Sequence, residues 1–187
     1  MKNLIGLAFG IIFFQVGFTQ EPQFAIVRPD GTTYIFTNLD SAYHKAQNGD
    51  NLLLPNGSFA FSNPIDKSIF IKGVGYTLGP SPITGQTVIS GLNLKSGASG
   101  GSISGCNLKV YCYSGCPATI NIQGKVNSYR ITNCFINSGI NFDSLSSNFI
   151  ISQNIIGYFG QGCLYGGSFS IKLLGQNHLI ANNLILG

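Results

Sequence analysis

Charge is scarce in this chain. Lys, Arg, Asp and Glu make up 9% of its 187 residues, against roughly a quarter in an average soluble domain. Tryptophan is absent and methionine occurs once. The shortage of Lys and Glu argues against helix bundles and coiled coils, whose solvated faces need them. The ten basic residues are scattered singly. Nucleic acid is therefore excluded as a partner, because binding it takes concentrated Lys and Arg to displace counterions from phosphates. Beyond the first twenty residues no stretch is apolar enough to span a membrane. What the chain does have is a hydrophobic share of 44%, enough to bury the core of one domain and to exclude general disorder. It also has 25 glycines, about twice the usual share. Asn, Ser, Thr, Gly and Gln must carry the surface.

Residues 1–20 read as a secretory signal. Lys2 supplies a positive start, Leu4 to Phe14 an apolar run, and Gln15 to Gln20 a small and polar exit. The run is too short to cross about 30 Å of hydrocarbon as an anchor. The expected location is extracellular or at the cell surface. Five cysteines follow: Cys106, Cys112, Cys116, Cys134 and Cys163. Export permits disulfides, and Cys112 with Cys116 is the candidate pair, closing a small loop. The odd count leaves at least one thiol over. No second Cys or His pair follows at zinc-like spacing, so no metal site is expected.

Residues 21–50 read as N-terminal strands and a capping helix. Phe24–Val27 and Thr32–Phe36 are strand candidates on either side of an Asp30-Gly31 turn. Thr37 and Asp40 make a capping-box-like helix start. Leu39, Ala42, Tyr43 and Ala46 form one apolar stripe, and Gly49 is a C-terminal stop. From residue 51 to 187 the texture changes to short apolar, β-rich runs broken by Gly, Ser and Asn.

Three of those runs repeat. Arg130–Ile136 (RITNCFI), Ile150–Ile156 (IISQNII) and Leu179–Ile185 (LIANNLI) share one pattern, with an amide at Asn133, Gln153 and Asn182. Ser102–Leu108 (SISGCNL) and Val88–Leu94 (VISGLNL) read as looser copies. A loose period of 20 to 30 residues points to a solenoid. In a β-helix each coil pairs with the next in parallel and in register, so like residues stack. Stacked amides form ladders, whereas stacked charges repel, which fits the shortage of charge. Cys106 and Cys134 hold one position in their respective copies. A β-sandwich would show cleaner alternation and more hairpin turns. The expected fold is all-β, a parallel β-helix with a short N-terminal capping helix.

The order of signal, TTYIFTNLDSAYHKAQNGDNLLLPNGSF, SIFIKGVGYTLG and repeats of the NCFI/QNII/NNLI type resembles secreted right-handed parallel β-helix proteins of the pectin-lyase-like fold, of the Bacteroidota type. The resemblance covers roughly residues 32–187. It implies that a short helix caps the first coil, Leu39–Gln47, and that Gly49-Asp50 turns into the first core strand. The fold hosts lyases, hydrolases, epimerases and adhesins, so it does not specify chemistry. Asn183–Gly187 falls inside a repeat-like apolar run. An incomplete array is expected, with an open edge that pairs with further coils or another chain.

The resemblance to lyases would require acidic Ca²⁺ ligands and an Arg or Lys base. The acids are Glu21, Asp30, Asp40, Asp50, Asp66 and Asp143, and Asp143 alone lies in the body of the coils. Asp143 and Arg130 are thus the weak catalytic candidates, with Asp66 the nearest thing to a second carboxylate. No cofactor is expected, and Ca²⁺ enters only with the enzyme reading. Tyr111, Tyr113, Tyr129, Tyr158, Phe159 and Tyr165 are candidates for stacking on sugar rings. The leading expectation is a secreted, non-catalytic scaffold or carbohydrate-binding module, with polysaccharide as its partner. The alternatives are a piece of a polysaccharide lyase or glycoside hydrolase, and a structural or adhesive stalk.

Overall fold

A computed structural model describes residues 21–76, 85–110, 118–157 and 171–186. The signal segment and the candidates Tyr111, Cys112, Tyr113, Cys116, Tyr158, Phe159, Cys163 and Tyr165 lie outside the described residues.

The N-terminal third forms as its pattern predicts. β1 (Phe24–Val27) and β2 (Thr33–Phe36) pair antiparallel. The Asp30 carboxylate accepts from the Thr32 N–H at 2.8 Å and holds the turn between them. α1 (Leu39–Lys45) buries Leu39, Ala42 and Tyr43. Its N-cap is Asn38, whose side chain accepts from the Ser41 N–H at 3.0 Å, rather than the expected Thr37. The helix ends before Gly49, whose positive φ of 90° instead makes the corner into the next strand. A lysine from farther along locks the end of α1. Lys67 Nζ donates to the carbonyls of Tyr43, His44 and Ala46 at 2.9 to 3.0 Å, the last-turn groups a helix leaves unpaired.

The chain then passes through three sheets in rotation. The first circuit has β3 (Asn51–Leu53), β4 (Gly57–Phe59) and a single bridging residue, Ile65. The second has β5 (Phe70–Lys72), β6 (Thr87–Ser90) and β7 (Leu92–Lys95). The third has β8 (Ser102–Ser104), β9 (Asn107–Lys109) and β10 (Ile120–Gln123). The fourth has β11 (Arg130–Thr132), β12 (Phe135–Ile136) and β13 (Ile140–Asn141). The fifth has β14 (Ile150–Ser152), β15 (Ile155–Gly157) and β16 (Ile171–Lys172), and the sixth has β17 (Leu179–Ala181) and β18 (Leu184–Leu186). The first strand of every circuit joins one sheet, the second strand another and the third strand another again. From β3 onward each strand pairs in parallel with its counterpart in the next circuit. The protein is therefore mostly β, with parallel sheets.

Stacking follows the repeat. Arg130 lies opposite Ile150 and Ile150 opposite Leu179, so the three segments sit in register. One copy is out of phase. Val88 pairs with Asn107, whereas its sequence counterpart Ser102 pairs with Phe70. Val88–Leu94 spans the corner between the second and third sheets, at Gly91. Ser102–Leu108 spans the corner between the first and second, at Gly105. A strand–Gly–strand unit looks alike at either corner.

The core lies between the sheets. Ile71, Ile103, Ile131 and Ile151 stack as one fully buried column, and Leu108, Ile136 and Ile156 as another. An aromatic stack runs beside them. Tyr129 lies 6.1 Å from Phe149, which meets Phe142 at 5.0 Å and His178 at 5.6 Å between ring centroids. His178 accepts at Nδ1 from the Phe149 N–H. A Cβ at Gly101 would stand 3.0 Å from the Tyr129 ring and 2.7 Å from the Ile69 carbonyl oxygen, so only glycine fits that position.

Candidate functional site

The corner between the first and second sheets carries the most ordered chemistry. Asn133, Gln153 and Asn182 all hold left-handed φ, between 50° and 59°, and Gly105 holds 67°. Glycine enters that region freely because it has no Cβ, and Asn is tolerated there because its short polar side chain can hydrogen-bond locally. The recurring amide is thus the residue that turns the chain. A second left-handed column enters the first sheet at Gly100, Ser128, Asn148 and Asn177.

The hydrogen-bonded ladder runs one residue later, through Cys106, Cys134, Asn154 and Asn183. Asn154 Oδ1 accepts from the Cys134 N–H at 2.9 Å, and its Nδ2 donates to the Ile131 carbonyl at 2.9 Å. Asn183 repeats both bonds one circuit on, to the Asn154 N–H at 3.0 Å and the Ile151 carbonyl at 2.8 Å. Asn154 Nδ2 also donates to Asn183 Oδ1 at 3.0 Å. In the two earlier circuits, thiols replace the amides. Cys134 Sγ reaches the equivalent carbonyl, that of Ile103, only at 3.9 Å, and bonds Thr132 O at 3.3 Å. Cys106 and Cys134 are free and buried. Burial raises both thiols, Cys134 to about 12, so neither is a ready nucleophile.

The carboxylates hold turns and cross-links. Asp50 is buried, accepts from the Gln47 N–H at 2.8 Å and lies 4.0 Å from Arg28 Nε. Asp40 takes both the hydroxyl and the N–H of Ser62, which hold it below the usual carboxylate range. Asp66 accepts from the Tyr43 hydroxyl at 2.6 Å, while its N–H donates back to the same oxygen at 2.8 Å. Burial, with the Asp66 contact, pushes the Tyr43 phenol up. Asp143 accepts from the N–H groups of Leu145 and Gly124, at 2.9 and 3.0 Å, and these two bonds lower its pKa.

The catalytic candidates do not come together. Arg130 is exposed, and the ion pair found among the described residues is Arg28–Asp50. Asp66 follows Ile65, which bridges β7, while Asp143 follows β13. Three strand spacings separate them, about 14 Å at ~4.8 Å each. Paired glycosidase carboxylates stand at most about 9.5 Å apart. Tyr129, a candidate for sugar stacking, is 0% exposed. Its ring packs inside the molecule, so no ligand reaches its face. Among the described residues no three His, Cys, Asp or Glu side chains gather to hold a metal ion, and no helix is long and apolar enough to cross a membrane.

One polar cleft lies at the junction of α1 and the first circuits. It measures about 250 Å³ and is lined by Tyr43, His44, Asn63, Asp66, Lys67 and Lys95 among others. The Tyr43–Asp66 contact and the three carbonyls on Lys67 commit half of these polar groups to the fold. Sequence reading missed this cleft because its residues come from three separate segments.

These features define a mostly-β protein of stacked parallel sheets. Comparison with protein-family models, curated proteins and solved structures returns no match.

Asp143 gives a pH signature. Its folded pKa lies below the ordinary value of 3.8. The stability it contributes is therefore present above the unfolded pKa and lost as pH falls through the folded one. Asp143→Asn should lower the urea midpoint at pH 7. The gap to the parent should close as pH falls below about 4, measured as midpoints across a pH series. An equal gap at every pH would show that the charge is not what the turn uses.

Proposed function

We propose that the protein is a right-handed parallel β-helix that serves as a secreted, non-catalytic scaffold at the cell surface. Rotation through three sheets with parallel, in-register pairing supports the β-helix. Right-handedness rests on the strong chiral preference of parallel strand–crossover–strand connections. Secretion rests on residues 1–20.

The observation that carries the non-catalytic reading is the commitment of the aspartates. All five of them, at 30, 40, 50, 66 and 143, accept hydrogen bonds from the protein's own turns or side chains. A general acid needs a raised pKa, and Asp143 is shifted the other way. Polysaccharide remains the ligand class suited to an amide- and hydroxyl-rich surface with little charge.

The test is to incubate the purified chain with uronate polymers, with and without Ca²⁺, and with neutral glycans. New reducing or unsaturated ends should not exceed those of a buffer blank. Ca²⁺-dependent chain cleavage that disappears in Arg130→Ala or Asp143→Asn would overturn the proposal in favour of a lyase or hydrolase.

A further inference from the structure

One imidazole joins the sixth circuit to the fifth. His178 stands one residue before β17, as Phe149 stands one residue before β14. Its Nδ1 accepts from the Phe149 N–H at 3.3 Å, and its Nε2 lies 2.9 Å from the Leu174 carbonyl oxygen. A carbonyl only accepts, so Nε2 carries the ring proton and Nδ1 is bare. Both bonds together require the neutral ring. The ring is also closely packed. Phe142 lies 4.7 Å and Phe149 5.6 Å from it between centroids, and a Cβ at Gly175 would stand 3.0 Å from Nε2. Phe149 is 0% exposed, and among the described residues its N–H has no other acceptor.

We propose that His178 is a pH-sensitive latch between the fifth and sixth circuits, closed when its ring is neutral and opened when the ring is protonated. Imidazole is the side chain that takes up a proton between about pH 8 and 5. The added proton must go on Nδ1, where it meets the Phe149 N–H. Two donors then face each other, and a buried N–H loses its acceptor. The Nε2 bond survives, but Phe142, Phe149 and Gly175 leave the ring little room to turn aside. The disturbance falls on the backbone bonds of the same segment. These run from the Leu179 N–H to the Phe149 carbonyl at 2.8 Å and from the Asn148 N–H to the Gln176 carbonyl at 3.0 Å. Among the described residues no carboxylate pairs with the ring to hold an imidazolium in place. β14 and β17 contain no charged residue. On the other segments packed against the ring the charged side chains are Asp143, next to Phe142, and Lys172, two residues before Leu174. Asp143 accepts from the Gly124 and Leu145 N–H groups, and Lys172 is exposed. Tyr129, one circuit back, stays neutral, its phenol pushed up by burial.

The experiment is hydrogen exchange of the full chain, read amide by amide as protection factors from about pH 8 to 5, with both imidazoles followed by NMR in the same series. Protection at Phe149 and through β17 should fall about tenfold or more, at the pH where His178 itself takes up its proton. β5 to β11 should keep theirs. The loss expected at Asp143 lies below pH 3.8, outside this range. His178→Phe keeps an aromatic ring against Phe142 and Phe149 but takes no proton, so its protection at β17 should not change across the series. His44, the other histidine, is exposed, and His44→Gln should respond as the parent does. Constant protection at Phe149 down to the lowest pH, whether or not His178 titrates, would overturn the latch. A fall that persists in His178→Phe would overturn it too. The readings at His178 and Phe149 both come from the parent, so a variant that fails to fold leaves the test intact.

Discussion

Replacing Asn154 with leucine should destabilise the protein by about 2–4 kcal/mol, a large share of a domain's total stability. The side chain is 1% exposed and bonds two backbone groups of the preceding circuit, the Cys134 N–H and the Ile131 carbonyl. Leucine fills similar space but offers no partner. Each buried group left unpaired costs about 1–3 kcal/mol. The contact to Asn183 Oδ1 is lost as well, so the damage extends into the next circuit. The contrast lies one residue earlier. Gln153 holds φ of 59°, a conformation glycine adopts freely. Gln153→Gly should therefore change stability by less than about 1 kcal/mol. Urea midpoints at equal slope would compare the two variants. Similar losses at 153 and 154 would mean that the ladder does not carry the corner.

Gly97→Ala should cost about 3 kcal/mol or more, at the upper end of overpacking. A Cβ there would stand 1.9 Å from the Asp66 carbonyl oxygen and 2.7 Å from its carbon, both backbone atoms of the preceding circuit. That backbone cannot retreat. Asp66 is tied twice to Tyr43, and Lys67 is tied to three carbonyls at the end of α1. The strain should surface as lost hydrogen-exchange protection in α1 and β3 to β7, with β11 to β15 largely spared, because stacked repeats contact only their neighbours. Gly124→Ala is the control. Its φ is +75° but nothing lies within 4 Å of the added Cβ, so only the backbone term of about 1–2 kcal/mol applies. Equal effects at 97 and 124 would refute a steric account.

The legible parts are those that depend on neighbours in sequence. The stripe Leu39, Ala42, Tyr43 and Ala46 faces the core. The Asp30-Gly31 turn joins an antiparallel pair. The recurring Asn133, Gln153 and Asn182 mark one corner of successive circuits, where each takes the left-handed backbone that turns the chain. The phase of Val88–Leu94 was not legible, since its glycine turns a different corner. Nor was the ladder, where Cys106, Cys134, Asn154 and Asn183 share a column without sharing a residue type. The roles of the carboxylates were hidden too. Asp40 meets Ser62 and Asp66 meets Tyr43, 22 and 23 residues apart, a separation that no local pattern signals.

The sequence by itself determined that the chain would stack short strands in parallel. Few charges, recurrent amides and branched apolar runs are what in-register neighbours tolerate without repulsion. Only the tertiary structure decided which of two adjacent amides faces inward, that the Tyr129 ring is buried, and that Asp143 serves a turn. Those outcomes depend on how three sheets meet at their corners. At a corner one left-handed residue redirects the side chains that follow, so the simple alternation of a strand no longer tells inside from outside.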